Sequence, residues 1–117
     1  MNKYFAFAAM AVAIFIFANC GPSKKITAMV VPKLNYEINV QNVIVANCTP
    51  CHIPAKGGNK KPYDNFANVK TDIDEMIRRI ELEPVEKGFM PFRKAAKLSD
   101  STIAIFKQWR ADGLLEK

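Results

Sequence analysis

The run Cys48-Thr49-Pro50-Cys51-His52 holds the chain's densest chemistry. Two thiols separated by two residues can reach two vinyl groups on one edge of a porphyrin. Each adds across a vinyl to give a thioether, and the next residue is placed under the iron, where an imidazole nitrogen can ligate it. The spacing therefore points to one covalently attached c-type haem held by Cys48, Cys51 and His52. Rival chemistries fit less well. A thioredoxin-like dithiol site sits at a helix N-terminus in a strand–helix–strand setting, whereas this motif follows a helical pattern and has no strand pattern around it. A structural zinc ion wants four ligands, and His52 is the single histidine in the chain. A disulfide closing across two residues would be strained.

Haem iron has two axial positions. His52 supplies one, and a lysine, a water or a methionine must fill the other. Beyond the N-terminal segment the methionines are Met29, Met76 and Met90. Met29 falls in a tether-like stretch and Met76 in an apolar helical stripe, where packing is its default role. Met90 lies in an irregular segment, Phe89-Met90-Pro91-Phe92, that could wrap over the far face of the haem, with Phe89 and Phe92 packing on the macrocycle. The alternative for Met90 is filling a gap in the core. Ligation by His52 and Met90 closes both axial positions and, through the soft thioether, favours ferrous iron. Such an iron exchanges electrons without binding substrate. If Met90 does not ligate, the alternative is a five-coordinate haem enzyme subunit or ligand sensor.

The elements that would position these groups are helical, and the fold class expected is all-α. A first helix is predicted over 37–47, with Val40, Val43 and Ile44 on one side and Asn39 able to cap a shorter version. It runs directly into Cys48. Residues 53–65 form a loop broken by Pro54, Gly57, Gly58 and Pro62. Its Lys56, Lys60 and Lys61 form either a docking face or a solvated surface. A second helix is predicted with Thr71 as N-cap and Asp72 and Asp74 in its first turn. Its stripe is Ile73, Met76, Ile77 and Ile80, with Arg78 and Arg79 facing water, and Pro84 ends it at Glu83. Residues 84–98 are irregular. A third helix starts at Ser99, with Asp100 in the first turn and Leu98 and Ile103 as a hydrophobic staple, and stops at Gly113. Short helices joined by long loops bury a thin core, so the domain needs an organising element. A haem would serve as one.

The N-terminus reads as a targeting segment. Lys3 precedes an uncharged, mostly apolar run from Tyr4 to Ala18, about 15 residues and below the roughly 17–25 needed to span a bilayer core. An uncleaved anchor is the alternative. The run leads to Phe17-Ala18-Asn19-Cys20-Gly21, which resembles the lipobox of bacterial lipoproteins. That resemblance implies cleavage after residue 19 and a lipid on Cys20, although Phe17 and Asn19 stand where the family prefers leucine and a small residue. Cysteine arithmetic agrees, because haem and lipid together leave no odd thiol among the three cysteines. The division expected is a signal peptide over 1–19, a lipid-anchored tether over 20–35 and a haem domain over 36–117. Val30 and Val31 are the part of the tether able to make a short strand contact. Net charge is +6, which suits an anionic membrane, an acidic partner or an ordinary solvated surface. Nucleic acid is not expected, since the scattered lysines form no recognition helix or aromatic-basic platform.

Over 36–117 the chain resembles the class I cytochrome c family, most of all its short bacterial monohaem members. The matching residues are Val43-Ile44 ahead of Cys48-Thr49-Pro50-Cys51-His52, then Met90-Pro91, then Leu98-Ser99-Asp100-Ser101 and Ile105-Phe106-Lys107-Gln108-Trp109. The resemblance implies a cytochrome c fold of three to four short helices. The first and last of these would pack across each other beside the haem, with Val40 and Ile44 meeting Phe106 or Trp109. It also implies an electron carrier rather than an enzyme, exported to the periplasmic side of a bacterial membrane and serving redox partner proteins or a respiratory complex. The anchor can be checked separately: metabolic labelling with a palmitate precursor should mark the wild type and not Cys20→Ala, and equal labelling would refute lipidation at Cys20.

Overall fold

A computed structural model describes residues 31–117. The signal segment, Cys20, Met29, Val30 and the first part of the tether lie outside the described residues. Among the described residues the domain is all-α: helices and turns joined by loops, without a named strand. No described helix is long and apolar enough to cross a membrane.

The chain enters its first helix at Asn35. That residue is extended, as an N-cap must be, and its side chain accepts from the Ile38 N–H at 2.9 Å. Asn39, predicted as the cap, lies one turn inside and accepts from the Asn35 N–H at 2.9 Å. The pair thus closes a reciprocal cap, and the helix starts earlier than Asn39 alone would allow. Its first turn, Tyr36–Val40, is π-helical, and it continues as α1, Gln41–Cys48. Val40 and Ile44 are buried, and Val43 packs against the core from a half-buried position. The last residue of α1 is the first cysteine of the motif.

Helix α2 spans Phe66–Glu81 and begins well before the predicted start. Asn65 is its cap, accepting from the Asn68 N–H at 3.0 Å. Thr71 is interior, and its hydroxyl donates to the Ala67 carbonyl at 2.8 Å, so it competes for a backbone acceptor rather than capping. The apolar stripe extends back through Val69 and Phe66, which lengthens the buried face beyond Ile73, Met76, Ile77 and Ile80. Helix α2 stops at Glu81, with Leu82 already extended ahead of Pro84.

Helix α3, Asp100–Ala111, follows its sequence signals closely. The Ser99 hydroxyl accepts from the Thr102 N–H at 3.2 Å. At the other end Gly113 takes φ 101°. There the Gly113 N–H donates to Arg110 O and the Leu114 N–H to Trp109 O. This is the bond pair of a Schellman stop, which favours glycine because L side chains resist positive φ.

Three aromatic rings join these elements. Tyr36 lies 5.8 Å from Phe66 and 6.1 Å from Trp109, and Phe66 lies 6.3 Å from Trp109, between ring centroids. Trp109 and Phe106 are fully buried in the same cluster as Val40 and Ile44. The C-terminal tail then clasps the entry segment. Leu34 N–H donates to Asp112 at 2.7 Å, Tyr36 N–H to Leu115 O at 2.9 Å and Glu37 N–H to Glu116 O at 3.1 Å. Trp109 Nε1–H donates to the same Leu115 carbonyl at 2.8 Å. The only bridge-like pairing among the described residues is therefore at Asn35 and Leu115, while Val31 is 79% exposed and pairs with nothing.

The Tyr36 hydroxyl is buried without a hydrogen-bond partner, and burial pushes its pKa up. Such a group costs about 1–3 kcal/mol. Tyr36→Phe keeps the ring and removes the cost, so thermal denaturation should show a melting temperature raised by several degrees. A lowered value would show that the hydroxyl is satisfied.

Candidate functional site

Helix α1 delivers Cys48 at its last position, and Thr49 breaks out into extended backbone. The chain then coils tightly. His52 N–H donates to Cys48 O at 3.0 Å and Ile53 N–H to Pro50 O at 3.0 Å. Ile53 is buried and pins the motif to the core directly after the histidine. The following loop folds back: Lys60 N–H donates to Cys51 O at 3.0 Å and Tyr63 N–H to His52 O at 2.9 Å. Gly58 makes this return possible. A Cβ there would lie 2.3 Å from Pro50 O and 2.7 Å from Cys51 O, so only glycine lets the loop backbone approach the motif backbone.

The imidazole is fixed on two sides. His52 Nδ1 lies 2.7 Å from the Lys61 carbonyl oxygen. A carbonyl oxygen only accepts, so Nδ1 carries a proton, and in the neutral ring Nε2 is the nitrogen with the lone pair. The Tyr63 ring stacks on the imidazole at 4.6 Å between centroids and 10° between planes. Tyr63 in turn donates its hydroxyl to Asp72 Oδ2 at 3.0 Å, and Lys61 Nζ pairs with Asp72 Oδ1. Burial, reinforced by the bond to Asp72, holds the Tyr63 hydroxyl firmly protonated.

Cys48, Cys51 and His52 all line one cavity of about 740 Å³, in the upper part of the range of ligand and cofactor sites. Met90 lines the same cavity, so the structure gathers the four residues the sequence singled out. Apolar side chains from α2, α3 and the segment before α3 complete its wall, including Met76, Ile80, Leu98 and Phe106. Met76 is thus both core and cavity lining. The Met90 N–H donates to Arg79 O at 3.2 Å, which ties the Met90 segment to the end of α2. The two phenylalanines beside it separate. Phe92 lines the cavity but is 63% exposed, and Phe89 is buried without lining it. Phe106 from α3 takes the aromatic place expected of Phe89, because Phe89 turns inward.

Both thiols are free. Cys51 is exposed. Cys48 is half-buried, and burial pushes its thiol up to about 11. Among the described residues no three His, Cys, Asp or Glu side chains gather closely enough to share one ion. The thiols and the imidazole therefore do not converge as a single ligand set.

Lys60, Lys61 and Lys94 stand at the cavity, whereas Lys56 is exposed in the 3-10 turn Pro54–Lys56. Asp72 was legible in sequence as a helix charge only, and nothing in the pattern singled out Tyr63. A tyrosine eleven residues beyond His52 carries no signal until the loop folds back. No protein-family model matches this sequence, and no curated protein or solved structure matches it either.

Glu75 also lines the cavity and pairs with both arginines beside it. Arg78 binds it at 2.7 and 2.8 Å and Arg79 at 2.7 Å. The hydrogen bonds from Arg78 and then Arg79 hold its carboxyl down at about 2, from an ordinary value of 4.5. A carboxyl lowered on folding adds stability above its unfolded value, and that stability is lost as pH falls through the folded one. Urea denaturation should therefore find wild type slightly more stable than Glu75→Gln at neutral pH. The difference should shrink between about 4.5 and about 2 and vanish below, and it should be small because the pair is solvent-exposed. A difference that grows on acidification would contradict this.

Proposed function

We propose that this chain is an electron-transfer protein of the class I cytochrome c type, carrying one covalent haem c with His52 and Met90 as axial ligands. The observation that carries the reading is the state of His52. Its Nδ1–H is committed to the Lys61 carbonyl, which leaves Nε2 as the ligating nitrogen of the neutral ring, and the residue lines a cavity with both motif thiols and Met90. A metal-ligating histidine is typically held in this way, by a hydrogen bond from its other ring nitrogen.

The residues present fit the group. Cys48 and Cys51 would hold it by thioethers, and His52 Nε2 and the Met90 sulfur would bind iron. Met76, Ile80, Leu98 and Phe106 offer an apolar wall that keeps water from the macrocycle. When bound, the haem would supply a one-electron iron couple. Low-dielectric lining and a thioether ligand favour the ferrous form. With His52 Nε2 and the Met90 sulfur both bound to it, the iron would have no position left for oxygen or peroxide. This supports an electron carrier over an enzyme or sensor. Cys51 is exposed, so the attachment edge faces solvent, where a redox protein or respiratory complex can approach. The N-terminal sequence supports export to the periplasmic side of a bacterial membrane, with a lipid on Cys20 as the anchor.

Two measurements test this. Mass spectrometry should find a haem-sized addition on the Cys48–Cys51 peptide. The ferrous wild type should resist CO, and Met90→Ala should bind it readily with a changed spectrum. Ready CO binding by the wild type would favour a five-coordinate haem instead, and identical spectra would remove Met90 from the iron.

A further inference from the structure

Two contacts at the back of His52 lead to one side chain. The Lys61 carbonyl takes the Nδ1 proton at 2.7 Å, and the Tyr63 ring lies flat on the imidazole at 4.6 Å. The loop backbone is tied to the motif region at Gly58, Lys60 and Tyr63, but those bonds leave the Lys61 and Tyr63 side chains to another partner. Both are held by Asp72, from the middle of α2. Its Oδ1 takes Lys61 Nζ and its Oδ2 takes the Tyr63 hydroxyl at 3.0 Å. The Asp72 side chain is only 15% exposed, and α2 anchors it through the buried neighbours Val69, Ile73 and Met76. One carboxylate on a rigid helix thus uses both oxygens to fix the two residues that orient the histidine.

We propose that Asp72 is the positioning residue for His52, setting its ring orientation and tautomer through Lys61 and Tyr63. This rests on His52 being the iron ligand, and it adds a third layer behind it: carboxylate, then loop, then imidazole. Carboxylates that act directly on a ligating histidine accept its N–H themselves. Asp72 instead leaves that bond to a backbone carbonyl and holds the side chains of Lys61 and Tyr63 on either side of it. The purpose of such a layer is precision. A carbonyl in a loop holds a proton only as well as the loop is held, and Asp72 replaces loop freedom with helix rigidity.

The test is nitrogen-edited proton NMR of the reduced, haem-loaded protein with labelled histidine. His52 is the single histidine, so its Nδ1–H gives one signal. Wild type should show a slowly exchanging Nδ1–H. Asp72→Ala should exchange it about tenfold faster, the scale of one ordinary hydrogen bond. Asp72→Asn and Tyr63→Phe each keep part of the linkage and should fall between. Backbone amides of Val40 and Trp109 in the core should keep wild-type rates. If Asp72→Ala does not fold, the other two variants decide. Wild-type Nδ1–H exchange in every folded variant overturns the proposal. So does acceleration at Val40 and Trp109 equal to that at His52, which marks general loosening instead of positioning. Mass spectrometry of the same samples reads haem attachment separately. A chain without the haem-sized addition refutes the haem reading while the histidine signal still reports on Asp72. A loaded chain with an indifferent Nδ1–H refutes the role of Asp72 alone.

Discussion

The hydrogen bond from His52 Nδ1 to the Lys61 carbonyl is the contact on which the site depends. A neutral imidazole has one proton and one lone pair, and whichever nitrogen donates, the other must accept. Binding the proton to a backbone carbonyl therefore aims the lone pair. For the carbonyl to arrive there, the loop after the motif must double back against its own start. That return needs the missing Cβ of Gly58, the buried Ile53 and the stacked ring of Tyr63. The loop, rich in glycine, proline and lysine, looks unstructured by composition. Its geometry is nonetheless specified at each of these positions.

Around this contact the domain divides its hydrophobic groups between two tasks. Tyr36, Phe66 and Trp109 bring the first helical turn, α2 and α3 together, and the tail from Asp112 to Glu116 fastens the entry segment to the end of α3. Met76, Ile80, Leu98 and Phe106 instead line the cavity. Phe106, Met76 and Ile80 serve both, belonging to the buried cluster and to the cavity wall. A domain of this size has few apolar residues to spare, and giving several of them to a cavity makes sense when a large apolar group completes the core. The surface ion pairs between α2 and α3, Glu81 with Lys107 and Asp74 with Arg110, are exposed and add little to this.

Helix α3 was readable almost residue by residue, because its signals are local: a serine cap, an acidic first turn and a glycine stop act within one turn of where they stand. Helix α2 was readable in its apolar stripe but not in its start. Thr71 and Asn65 are both good caps in isolation. The choice between them was made by burial of Val69 and Phe66, which rewards a longer helix. Likewise Asn39 and Asn35 are alike as residues, and the reciprocal pair they form is set by the clasp of the C-terminal tail on residues 34–37. Phe89 and Phe92 both stand within two residues of Met90 in sequence, yet one is buried and the other is exposed at the cavity.

Sequence by itself singled out Cys48, Cys51 and His52, since the chemistry those residues are suited to depends on residue type and on a spacing of a few bonds. It also singled out Met90 as the sulfur able to join them, and identified the helical character of the domain. Tertiary structure alone decided that Met90 shares a cavity with the motif, that Phe106 rather than Phe89 lines it, and that Lys61, Tyr63 and Asp72 stand behind the histidine. The reason is range. Covalent spacing and helix signals act over a few residues and are written locally. The orientation of the imidazole is set by a loop returning nine residues later and by a carboxylate on another helix, and these meet His52 only once burial has fixed the path of the chain.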